Sequence, residues 1–196
     1  MIKSILKWKG VKLVFVTGKN STETADFIFD LIQDFLKVKR VEPTDRGMNR
    51  LLFIFYDVII VTREGNNQKT EDLFSNFREV ITVVNSENIT DEKEVIQTMK
   101  KSDTLLVDFE SKEKFSGKRM KYFLSFGFDS EADFNISDMN IHDKKTNFKL
   151  NYDGSSVPVW IPGKKTEDDV LQVVASLGVG VLLNINFVSL TQKIKN

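Results

Sequence analysis

The chain has no cysteine, one histidine and three prolines among its 196 residues, and each scarcity closes a class of function. Without thiols there are no disulfides and no thiolate metal sites. His142 alone excludes metal centres built from clustered histidines and leaves little scope for imidazole acid–base chemistry. So few prolines argue against a Pro-rich linker or recognition segment. Neither sign of charge is in excess, with 28 Lys plus Arg against 28 Asp plus Glu. That removes the electrostatic signature of a nucleic-acid binder. No apolar run approaches the roughly 20 residues of a membrane span. The N-terminal MIKSILKWKG is too short and too often interrupted by lysine for a secretory signal. The expectation is a soluble, cytoplasmic protein with neither a membrane nor a nucleic-acid partner.

What is present is apolar material: 41% hydrophobic residues, including 16 Phe, enough for the core of one domain. Residues 12–16 read as a short buried strand. Residues 22–38 read as an amphipathic helix with Phe27, Ile28, Leu31, Ile32 and Phe35 on one face. Residues 51–56, 58–62, 79–84 and 104–107 are rich in β-branched and aromatic residues and predict strands. Residues 72–77 and 90–101 predict helices, the second with Thr90 as N-cap. Helices alternating with strands that are apolar on both faces imply a parallel sheet covered on two sides. After a strand at 121–126 the pattern changes. Residues 134–141, 147–152 and 157–161 alternate apolar and polar positions between polar turns, as a small antiparallel meander does. Residues 167–183 predict a long helix in which Gly178 and Gly180 allow close approach to the sheet.

The most informative stretch is residues 14–28, VFVTGKNSTETADFI. A strand running through Thr17-Gly18 into a helix near Thr22 is the frame of a phosphate-binding loop, in which helix N-terminal N–H groups face phosphate oxygens. A loop of the form G-x-x-x-x-G-K-[ST] ends in a glycine, a lysine for the phosphates and a hydroxyl for magnesium. Ser21, Thr22 and Glu23 stand in that order instead.

These segments, in this order, resemble the central ATPase domain of the Mur ligases, the ATP-dependent amide-bond-forming enzymes of peptidoglycan precursor synthesis. The family loop T-G-T-N-G-K-T-T is matched by Thr17-Gly18-Lys19-Asn20-Ser21-Thr22-Glu23-Thr24. VIIVTREG at 58–65 resembles the strand that ends in a magnesium-binding glutamate, and puts Glu64 there. Lys93-Glu94-Val95-Ile96 resembles the A-K-x-E-I helix and makes Lys93 the candidate catalytic lysine. TLLVDFES at 104–111 resembles the V-L-N-x-D-D strand, and SFGFDSEADFNISDM at 125–139 the F-G-F…A-D-F…D-I entry into antiparallel strands. Residues 163–183 resemble the nucleotide-contacting G-K-H-N-x-x-N-A-L-A-A segment, with Lys165, Thr166 and Asp169 in place of His, Asn and Asn.

The resemblance implies an α/β fold: a mostly parallel sheet flanked by helices, of P-loop-like Mur central-domain type, with a small antiparallel β-sheet. It implies one domain over 1–196, with a parallel part at 1–125, antiparallel strands at 126–162 and a C-terminal helix and tail at 163–196. On this reading the expectation is a stand-alone central domain without the ligases' flanking N- and C-terminal domains. It makes Gly18, Lys19, Asn20, Ser21, Thr22, Glu23, Thr24 and Asp169 the cofactor-binding candidates and Glu64 the metal candidate. Glu64 also reads as a solvated turn residue, and Lys93 as a lysine on a wet helix face.

The departures set the functional expectation. Thr22 replaces the phosphate-binding lysine, Glu23 brings a carboxylate that repels triphosphate unless a cation intervenes, and Ser21 replaces a glycine. The expectation is a catalytically degenerate binding or scaffold module, with no cofactor, that pairs with a protein partner or with itself. The alternative is an ATP- and magnesium-binding subunit of a Mur-type ligase completed by a partner chain.

Overall fold

The buried run around residues 13–16 does form a strand, and it lies near the middle of the sheet. The computed structural model describes residues 6, 8–41, 55–62, 77–85, 103–115 and 121–195. The chain order is β1 (Lys12–Gly18), α1 (Ser21–Ile32), β2 (Val38–Val41), β3 (Val58–Thr62), β4 (Glu79–Asn85) and β5 (Thr104–Asp108). A short 3-10 helix (Phe109–Phe115) follows, then β6 (Tyr122–Gly127), β7 (Phe134–His142), β8 (Lys145–Tyr152), β9 (Ser155–Pro162), α2 (Glu167–Leu182) and α3 (Phe187–Lys195). One nine-stranded sheet has the order β2-β3-β1-β4-β5-β6-β7-β8-β9. β2 to β6 pair in parallel, β6 and β7 share a short parallel contact, and β7-β8-β9 are antiparallel. The antiparallel meander is therefore an extension of the parallel sheet.

Alternation along β1 divides the core. Val14 and Val16 face a large cluster with Ile28 of α1 and Val173, Val174 and Leu177 of α2. Leu13 and Phe15 face a second cluster with Leu6, Ile59, Val61 and Phe77. Five consecutive buried residues in β3 show that both faces of the parallel part are covered, which explains why its strands read as apolar runs rather than alternations. In β8, by contrast, Thr146, Phe148 and Leu150 are buried while Lys145 and Lys149 are exposed.

Several expectations need correction. The first helix stops at Ile32 rather than Val38, and Phe35 lies 40% exposed beyond its end. Val38 to Val41 instead pair with Val58 to Val61, because strand pairing outweighs helical periodicity at that edge. Phe55 and Tyr56 precede the strand that begins at Val58 instead of belonging to one, and Phe77 is buried but not helical. Residues 51–54, 72–76 and 90–101 lie outside the described residues. The tail past residue 183 contains α3, whose entry Asn186 accepts a hydrogen bond from the Ser189 N–H at 3.1 Å.

The two helix glycines serve different neighbours. A Cβ on Gly178 would come within 2.9 Å of Leu106 on β5, as expected for approach to the sheet. One on Gly180 would come within 2.7 Å of Leu190 on α3.

Candidate active-site cleft

Strand order fixes where a site can form. From β1 the chain builds β2 and β3 on one side, then places β4 on the other, so β1 and β4 flank the switch point where connections diverge. Their C-terminal ends are drawn tightly together. Gly18 ends β1 with φ +100, and the Lys19 N–H donates to the Asn85 carbonyl at 2.8 Å. A Cβ on Gly18 would sit 1.7 Å from that carbonyl oxygen, so only glycine fits.

Asn20 then takes a left-handed conformation (φ 53) as N-cap of α1, with no side-chain hydrogen bond to the helix. Ser21 is already helical and buried, so its replacement of glycine requires no special backbone angle. The positive φ values of the loop fall at Gly18 and Asn20 instead.

The side chains tell a different story from the backbone. Thr24 is fully buried and its hydroxyl accepts a hydrogen bond from the Asn85 amide at 2.7 Å, which ties α1 to β4. Asn85 Oδ1 is buried without a partner among the described residues. Glu23 is exposed in the first turn of α1, beside partly buried Thr22. Lys19 reaches across the cleft to Asp168 at 2.9 Å. Asp169 points elsewhere: its carboxylate accepts from the Thr166 N–H at 2.8 Å and the Thr166 hydroxyl at 2.9 Å, closing a capping box on α2. The Thr166 backbone N–H holds the Asp169 carboxyl below the usual range; burial opposes this, and the Thr166 hydroxyl and Lys165 add to it. Asp168, one position earlier, is the residue that meets the loop.

Two adjoining cavities open here. The inner one, about 130 Å³, is bounded by Lys19, Asn20, Asn85, Asp108, Phe126 and Asp168, among others. The outer one, about 660 Å³, has Phe109, Phe128 and Leu171 as apolar wall and Asp108, Glu110, Glu113, Asp129 and Glu131 among its carboxylates. Lys19 and Lys112 are the only cations lining either cavity among the described residues. Asn135 positions the rim by donating to the carbonyls of Phe128 (3.3 Å) and Asp129 (2.8 Å).

The structure thus gathers Gly18, Lys19 and Asn20 at one cleft and turns Thr24 and Asp169 to structural bonds. Glu64 and Lys93 lie outside the described residues. Asp108, Glu110, Phe128, Leu171 and Asp168 were not singled out from sequence. Asp108 and Phe128 could have been, since Asp108 ends β5 and Phe128 directly follows β6, and open α/β sheets place ligand contacts at the C-terminal ends of their strands.

A mostly parallel α/β sheet with a glycine-ended first strand, a two-residue turn and a helix at the switch point is an open, doubly wound architecture. Its fold is that of the Mur ligase central domain. The chain is similar to the MurF ligase of Thermotoga maritima solved in complex with ADP, at 16% identity and TM-score 0.71 over 97% of this chain and 50% of that one. It is similar to MurF from Acinetobacter baumannii at 11% identity and TM-score 0.69, covering 100% of this chain and 49% of that one. A pseudomurein peptide ligase type C from Methanothermus fervidus matches at 14% identity and TM-score 0.62, over 94% and 49% of the two chains. The chain spans about half the length of these structures. No protein-family profile and no curated protein matches it.

Lys19 is paired with Asp168, and Asp108, Glu110 and Glu167 also line the inner cavity. Among the described residues no group of three or more metal-ligating side chains is arranged to hold a metal ion. No described helix is long and apolar enough to cross a membrane.

Proposed function

We propose that this chain is a Mur-ligase-like central domain that has lost triphosphate binding and works as a protein-binding module through its switch-point cleft. The observation that carries this reading is the Lys19–Asp168 ion pair at 2.9 Å, set among the carboxylates of Asp108, Glu110 and Glu167. A phosphate cradle needs free positive charge aimed at the ligand. Here the loop lysine already has an internal anion. An entering triphosphate would have to displace Asp168 and then face the other carboxylates. The test is titration calorimetry of the full chain with magnesium–ATP and magnesium–ADP. The expected result is no heat of binding at micromolar concentrations; a micromolar Kd for either nucleotide overturns the reading.

One observation favours a second reading. The loop backbone keeps Gly18 and Asn20 at positive φ, and α1 has no side-chain cap on its first N–H groups. Such a loop suits an ATP-binding subunit whose lysine and amine-acceptor site come from a partner chain. That reading predicts phosphate release from ATP once partner and amine substrate are supplied, and no release under any pairing ends it.

A further inference from the structure

The cleft has a counterpart at the other end of the parallel strands. Trp8, Phe55 and Tyr122 each stand just before or at the start of a parallel strand, and they are 82%, 66% and 54% exposed. Register places these starts along one edge: Lys12 lies beside both Val58 and Glu79, and Thr104 and Tyr122 stand two residues further in, level with Ile81. The described carboxylates on this edge have internal partners, as Asp108, Asp129 and Asp168 have at the cleft. Asp57 accepts the Lys37 N–H, Asp103 accepts the Val80 N–H, and Glu79 pairs with Lys12 at 3.1 Å. Lys9, Lys37, Arg78 and Lys121 have no carboxylate partner among the described residues, and Lys121 lies over the Tyr122 ring at 5.1 Å. Among the described residues, one end of this neutral protein therefore presents aromatics and cations without a carboxylate partner, and the other presents carboxylates that outnumber Lys19 and Lys112 around a pocket with an apolar wall.

We infer that the two ends are complementary, and that the cleft takes the Trp8–Lys9 corner of a second copy of this chain in a head-to-tail contact. An indole so exposed is unusual for a surface tryptophan, and tryptophan is among the residues that dominate interface energetics. The outer cavity, about 660 Å³ with Phe109, Phe128 and Leu171 on its wall, has room for the ring. Glu110, Glu113 and Glu131 on its rim meet Lys9 and its cationic neighbours. Because the two surfaces differ, the contact is heterologous, and it propagates into a chain or ring of copies rather than stopping at a symmetric pair. The inference rests on the proposed role of the cleft as a protein-binding site.

The experiment is sedimentation velocity on the full chain over a concentration series at low and at physiological ionic strength, without nucleotide. Mass is the readout, so its outcome is independent of the nucleotide titration. The wild type is expected to form larger species with rising concentration and to revert toward monomer with added salt. Trp8→Ala is expected to weaken association on the order of tenfold or more. So is the triple change Glu110→Lys, Glu113→Lys and Glu131→Lys. All four positions are exposed, so the fold should survive, which circular dichroism checks. The deciding sample is the mixture. Each variant keeps one intact end, so at a concentration where each alone is monomeric the two together form a one-to-one pair. Wild type that is monomeric at every concentration and salt overturns the inference. So does a symmetric dimer, or a mixture that fails to pair.

Discussion

Replacing Gly18 by alanine tests whether the close contact of β1 and β4 holds the cleft in place. Two terms work against the new methyl. The left-handed φ of +100 costs a residue with a Cβ about 1–2 kcal/mol. The Cβ would also sit 1.7 Å from the Asn85 carbonyl oxygen. That atom is backbone in a paired strand and cannot rotate away, so β1 or β4 must shift, at about 1–3 kcal/mol by the standards of overpacked cores. The shift lengthens the Lys19 N–H to Asn85 hydrogen bond, worth about 1 kcal/mol. The expected loss is about 3–6 kcal/mol in total, or a fall in Tm on the order of 10 °C for a chain of this size. Gly154→Ala is the control. Gly154 also has positive φ (+73), in the β8–β9 turn, but a Cβ there meets nothing within 4 Å. It should lose only about 1–2 kcal/mol. Urea denaturation of both variants gives the comparison. If Gly18→Ala falls within about 1 kcal/mol of Gly154→Ala, the close-approach argument is wrong.

Two further predictions follow from single contacts. Asp169→Asn weakens the α2 capping box, and its effect should depend on pH in one direction only. The native carboxyl titrates lower than in the unfolded chain, so its stabilisation is present above the ordinary carboxylate range and is lost as pH falls through the native pKa. The stability gap between wild type and Asp169→Asn should be constant from about pH 6 to pH 8 and close in acid, as read by denaturation midpoints; a gap that widens in acid contradicts the assignment. Leu190→Ala removes a fully buried side chain that packs against Gly180 and should cost about 2–4 kcal/mol. A loss below about 1 kcal/mol would mean that α3 does not pack where it is placed here.

Much of the fold was legible because local pattern and burial agreed. The runs at 58–62, 79–84 and 104–107, rich in β-branched residues, read as strands covered on both faces. The alternation at 147–152 announced a sheet with one wet face. Illegibility set in where pairing overrode periodicity. Val38 to Val41 carry no strand signal of their own beyond Val38 and Val41, and they become a strand because β3 offers an edge. The tail helix α3 was readable in principle from Asn186 and Ser189 at capping distance, with Leu190 and Ile194 following at helical spacing.

The candidate site divides along the same line. By itself the sequence determined the strand–loop–helix frame, the residues Ser21, Thr22 and Glu23 at its helix start, and the order of segments that resembles the Mur ligases, because these are properties of neighbours along the chain. Only the tertiary structure decided that Lys19 is bound to Asp168, 149 positions away. The same holds for Thr24, whose hydroxyl turns inward to Asn85, and for the carboxylates of Asp108, Glu110, Glu131 and Glu167, which surround the cavities at the switch point. Charge acts through space, so which groups share a field is set by how the strands are ordered.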